Sequence, residues 1–105
     1  MKINGVEIDF KISNISHARN FQKAINDMGK AEKNISQMKN TGSLEDVLSA
    51  LKDMFVQFFV TATGADVVGI CEDIEEMENM YNEFLEEIKK QKEKVLSPFS
   101  LDRIK

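Results

Sequence analysis

The stretch from Asp66 to Leu96, DVVGICEDIEEMENMYNEFLEEIKKQKEKVL, constrains the fold of this chain more than any other segment. Apolar residues return at Val67, Ile70, Ile74, Met77, Tyr81, Phe84, Ile88 and Val95, in steps of three and four with one polar interruption at Gln91. That spacing predicts a helix over the whole stretch, about 45 Å long, with one apolar stripe. In a chain of 105 residues such a helix makes up much of the architecture. Its other faces carry carboxylates and lysines. Glu72, Asp73, Glu75, Glu76 and Glu78 precede Lys89, Lys90, Lys92 and Lys94, which matches the helix macrodipole, and Glu86 with Lys90 makes an i,i+4 pair. The stripe is continuous only to Ile88. The earlier turns are therefore expected to pack within the chain, and the last two lysine-rich turns to project.

The rest of the chain supplies the elements for that helix to pack against. Asn4-Gly5 is the strongest short hairpin signal, because both residues tolerate positive φ. Val6, Ile8, Phe10 and Ile12 alternate with Glu7, Asp9 and Lys11, so a hairpin over residues 2–12 with one apolar face is expected. So small a hairpin must pack on the helices or pair with a strand of another chain. Asn14 or Ser16 can cap a first helix running to about Asn40 through Ala18, Phe21, Ala24, Ile25, Met28, Ala31, Ile35 and Met38. Asn40-Thr41-Gly42 is a stop, and Ser43 to Asp46 resembles a capping box. The second helix runs through Leu44, Val47, Leu48, Leu51, Met54, Phe55, Phe58, Phe59 and Ala62, and Gly64 is its expected left-handed C-cap. Pro98 ends the third helix. The expected fold is mainly α: three helices, the last one long, with a short N-terminal β-hairpin. Residues 1–97 form a single domain and 98–105 a C-terminal tail.

The bulk numbers exclude several classes. With 42% hydrophobic residues the chain has one modest core. A net charge of −4 argues against general nucleic-acid or membrane-surface binding, either of which calls for a basic excess. No run of 18 apolar residues is present to span a membrane, and the opening MKINGVEIDF lacks the apolar core of a signal peptide. The expected location is the cytoplasm. Cys71, the single cysteine, has no partner for a disulfide. Beside the stripe it reads as a small apolar residue rather than a nucleophile.

No constellation of residues suggests catalysis. His17, the single histidine, falls in the first turn of the first helix, where a surface or capping role is expected. One His and one Cys do not make a tetrahedral zinc site. The Glu-x-x-His pairs of a di-iron bundle, the EF-hand spacing and the phosphate-binding glycine motifs are all missing. No cofactor or metal is expected. The acidic run at 72–78 reads as a solvated helix face, or else as a docking face for a basic partner. Phe55, Phe58 and Phe59 carry two readings, the centre of a small core or a surface that covers a partner chain. Six methionines fit both.

The opening MKINGVEIDF and the stretch DMFVQFFVTATGADVVGICEDI from Asp53 to Ile74 resemble small proteins encoded in the tail-morphogenesis modules of Gram-positive phages and prophages. Those proteins begin with a short NG hairpin, and a phenylalanine-rich helix is followed by a glycine-containing turn and another helix. They are grouped with the tail assembly chaperones of long-tailed phages. The resemblance covers residues 1–12 and 50–88 and carries over no residue-level site. It implies a non-enzymatic protein that binds the tape measure protein, keeps its apolar segments soluble, helps recruit tail tube subunits, and is absent from the finished particle. Phe55, Phe58, Phe59, Phe99 and Leu101 are the candidate partner contacts. The alternative is a small structural or coiled-coil interaction protein of a phage particle or other oligomer, including a homo-oligomer in which the long stripe is a dimer seam.

Overall fold

The computed structural model describes residues 1–99, so Leu101 lies outside the described residues. Three helices and a small hairpin make up the architecture, as the sequence predicts. Strands β1 (Lys2–Ile3) and β2 (Val6–Glu7) pair antiparallel, Lys2 opposite Glu7 and Ile3 opposite Val6. They are followed by α1 (Ile15–Met38), α2 (Leu44–Thr63), α3 (Ile74–Leu96) and a 3₁₀ turn at Ser97–Phe99. Asn4 (φ 50°) and Gly5 (φ 75°) make the hairpin turn, the left-handed pair that the Asn-Gly signal calls for.

Each helix start has its own cap. The Asn14 side chain accepts from the backbone N–H groups of Ser16 and His17, Ser43 Oγ from that of Asp46, and Asp73 Oδ1 from that of Glu75. Gly64 closes α2 in the left-handed conformation, its N–H donating to Val60 O. The loop of residues 39–43 is short, and it folds α2 back along α1 as an antiparallel pair.

The third helix begins eight residues later than the periodicity predicts, and the reason is topological. Tyr81 packs on Phe55 and Phe58, Phe84 on Phe58 and Phe59, and Ile74 lies beside Leu48. The sequence offset is nearly constant, so α3 runs parallel to α2. The chain must therefore return from the end of α2 to the level of Leu48, about 22 Å along the helix axis. Residues 64–73 cover that span outside any helix, well within the reach of ten residues. On the way Val67 and Val68, adjacent in sequence, are both fully buried. Asp66 Oδ1 accepts from Gly69 N–H and Cys71 N–H donates to Val68 O, with Gly69 at φ 57°, so a turn occupies the place of the first helical turns. Ile70, expected on the stripe, is 98% exposed at this turn.

The core is one cluster. Phe84 sits at its centre, with ring centroids 5.3 Å from Phe10, 6.1 Å from Phe21, 5.9 Å from Phe58 and 5.6 Å from Phe59. One aromatic group thus joins the N-terminal segment and all three helices. The hairpin packs on the helices through Ile3, Ile8 and Phe10. Asn4 Nδ2 donates to Val67 O at 2.9 Å, tying the hairpin turn to the returning segment.

Three further expectations change. The strand predicted to reach Ile12 stops pairing after Ile8, whose N–H donates to Met1 O. Its alternation survives, with Ile8 and Phe10 buried and Asp9 and Lys11 exposed, because the buried face meets helices rather than a strand. Gln91 replaces the missing strand: its Oε1 accepts from Ile12 N–H at 2.9 Å and its Nε2 donates to Phe10 O at 3.3 Å. The last turns of α3 therefore do not project freely. Val95 and Leu96 are half-buried in a hollow with Ile12, Ala18, Phe21 and Ile88. Glu86 and Lys90 do not pair. The two ion pairs of the described residues are Lys23–Asp27 and Met1–Glu7, and two exposed long side chains gain little from closing on each other.

Candidate surface grooves

The residues proposed from sequence as partner contacts separate in the structure. Phe55, Phe58 and Phe59 are 6%, 2% and 0% exposed, so they form the core and offer no surface to a partner. The physical reason is that α2 is the central helix, with α1 on one side and α3 on another, and a helix apolar almost all round belongs there. Phe99 is 69% exposed in the 3₁₀ turn after α3. The dimer-seam reading is corrected in the same way. Met77, Met80, Phe84 and Ile88 all face the interior, while the outer face of α3 presents Glu75, Glu78, Asn79, Asn82, Glu86 and Lys90.

Two hollows on the surface stand out chemically. The first is a groove of about 420 Å³ between α1 and α2, to which α3 contributes no residue. On α1 its floor is Ala24, Met28, Ala31, Ile35 and Met38, an alternation of four and three that keeps a seam on one side of a helix. On α2 it is Ala50, with Met54 and Phe58 buried beneath, and the rim is polar, with Asp27, Asn34, Asp53 and Gln57 exposed. The part-exposed Ala31 and Ala50 leave the groove open, and the buried Met28 and Met54 line the deeper part. The four–three spacing was visible in the sequence; that short side chains would leave part of it uncovered was not.

The second hollow lies where α2 and α3 begin. Leu44, Leu48 and Ile74 form its apolar surface, with Leu44 74% and Leu48 41% exposed. The sequence expected both leucines on the packed face of α2. They lie outside it because α1 covers α2 from another side and α3 starts only at Ile74. Glu45, Glu72, Asp73, Glu75 and Glu76 surround them, with Lys52 as the one cation.

Polar groups elsewhere make the following contacts. His17 Nδ1 accepts from Lys11 N–H at 3.0 Å while its ring stacks on Phe10 at 5.5 Å, so it joins the end of the hairpin segment to the start of α1. Cys71 is half-buried with Sγ 3.3 Å from Glu76 Oε2. Burial between Phe55 and Phe58 pushes the Tyr81 hydroxyl above its usual range, and the charge of Glu32 adds to this. The Lys23 hydrogen bond holds the Asp27 carboxyl below its usual range. Among the described residues no cluster of three or more His, Cys, Asp or Glu side chains is arranged to hold a metal ion, and no helix is long and apolar enough to cross a membrane.

Residues 4–102 match a protein family described as a family of unknown function (DUF6673). The chain belongs to this family. The match takes in the hairpin turn, β2, all three helices and therefore both hollows. No curated protein matches the chain, and no solved structure does.

Proposed function

We propose that this protein is a non-enzymatic tail assembly chaperone of a phage or prophage, which holds apolar helical segments of the tape measure protein in the host cytoplasm and helps recruit tail tube subunits. The observation that carries this reading is the open groove between α1 and α2. A helical partner segment laying two or three aliphatic side chains onto the part-exposed Ala31, Ile35 and Ala50 would be held by apolar contact. Methionines adapt to varied partner shapes, which suits a protein that must cover successive stretches of one long chain. The resemblance of residues 1–12 and 50–88 to tail-module proteins supplies the identity of the partner. A non-enzymatic role also accords with the engagement of His17 by a backbone N–H and an aromatic ring.

Co-expression with a tape measure protein tests the proposal. The tape measure protein is expected to move from the insoluble to the soluble fraction and to co-purify with this chain. Unchanged solubility overturns the reading. Detection of the chain in purified mature particles would instead favour a structural component.

A further inference from the structure

We propose that the hollow formed by Leu44, Leu48 and Ile74 is a second docking site, and that its occupant is a basic amphipathic helix of a partner protein. It shares no lining residue with the α1–α2 groove, and the inference stands independently of the tail-chaperone reading.

Two observations converge on that occupant. The first is apolar. Leu44 and Leu48 lie one turn apart on α2 and stand 74% and 41% exposed, with half-buried Ile74 beside them. Leucines at this spacing match aliphatic side chains repeated at three and four residues on a second helix. The second is electrostatic. Glu45, Glu72, Asp73, Glu75 and Glu76 ring this surface, and Lys52 is the one cation among its lining residues. Neither of the two ion pairs of the described residues involves any of the five carboxylates. Carboxylates at a helix start are ordinary, because each favours the positive end of its helix. Here the starts of α2 and α3 are brought together by the parallel course of the two helices, so two such sets converge around uncovered leucines. The charge left over within the site equals the chain's whole net charge of −4.

Charge complementarity therefore selects lysine and arginine flanking the aliphatic positions of the occupant, and disfavours acidic helices, anionic lipid and nucleic acid. A second copy of this chain fits less well. Its basic end carries Lys89, Lys90, Lys92 and Lys94, but Val95 and Leu96 beside them are half-buried against the copy's own Ile12 and Phe21. It has charge to offer and little free apolar stripe.

The test uses the full chain and a labelled designed helical peptide with leucines at three–four spacing and lysines at the remaining positions. One control peptide replaces lysine with glutamate; another scrambles the order so that the leucines share no face. The lysine peptide is expected to bind saturably, more weakly as salt rises. Leu48→Ser and the triple change Glu72→Gln, Glu75→Gln, Glu76→Gln are each expected to weaken binding about tenfold or more, and the triple variant to flatten the salt dependence. All four positions are at least partly exposed, and circular dichroism of each variant checks that the helices are retained. No binding overturns the proposal, as does equal binding of either control peptide or unchanged affinity in both variants. A wild-type dimer that Leu48→Ser converts to monomer also overturns it, since the occupant would then be a second copy.

Discussion

Phe84 meets aromatic rings from the N-terminal segment, α1 and α2, and is fully buried. Phe84→Ala removes the shared neighbour of four rings and is expected to cost about 3–5 kcal/mol in urea unfolding, a large part of the roughly 5–15 kcal/mol that holds a domain together. Phe99→Ala, at an exposed site, is expected to change stability by less than about 0.5 kcal/mol. Equal effects would place the core elsewhere. Tyr81 makes a pH-dependent prediction. Its hydroxyl is raised from the ordinary value of 10.0, chiefly by burial. The folded state therefore favours the neutral phenol. That contribution is complete below the unfolded value and is lost as pH climbs from about 10 through the raised folded value. Tyr81→Phe is expected to match wild type in thermal melts at pH 8 and to exceed it above pH 10. Parallel melting curves at both pH values would contradict the burial assigned to this ring.

At the scale of elements, the decisive feature is the return of the chain over residues 64–73. Ile70→Ser is expected to change stability by less than about 0.5 kcal/mol. A helix starting at Asp66 would bury Ile70 on its stripe and lose about 2 kcal/mol or more. Urea titration of this one variant separates the two. Gln91 is the matching case at the other end of α3. Gln91→Ala removes both hydrogen bonds to the hairpin segment and is expected to cost about 1–3 kcal/mol, with faster hydrogen exchange at the Ile12 amide. Unchanged exchange would mean that the clamp is not made. These two positions show what a sequence discloses and what it withholds. The hairpin turn, the three helices and their caps at Asn14, Ser43 and Gly64 were legible, because each rests on local chemistry. The start of α3 was not. Ile70 falls on the helical period by coincidence, while the adjacent burial of Val67 and Val68 follows from a parallel helix pair that only the tertiary structure specifies. Gln91 read as an interruption because its partners, Phe10 and Ile12, lie about eighty residues away in the chain.

The whole molecule is elongated, 50 × 30 × 21 Å, and unevenly charged. Carboxylates gather where α2 and α3 begin, and four lysines lie near the far end of α3. Between these ends the stripe of α3 and the phenylalanines of α2 are consumed by the core. That is why the candidate contacts at Phe55, Phe58 and Phe59 could not be told from core by sequence: an aromatic helix looks the same in either role until its neighbours are placed. What remains for partners is the hollow at Leu44, Leu48 and Ile74 and the α1–α2 groove, the latter legible only as the spacing of Ala24, Met28, Ala31, Ile35 and Met38. The account makes this groove the seat of function, and filling it without disturbing the core is the most direct test. Asn34 and Gln57 stand exposed on opposite rims. The measurement is the soluble fraction of co-expressed tape measure protein with wild type and with the double variant Asn34→Trp, Gln57→Trp, whose fold is checked by its melting curve. The account predicts that wild type raises that fraction and that the folded double variant leaves it at the level of tape measure protein expressed alone. Equal rescue by both proteins would contradict it.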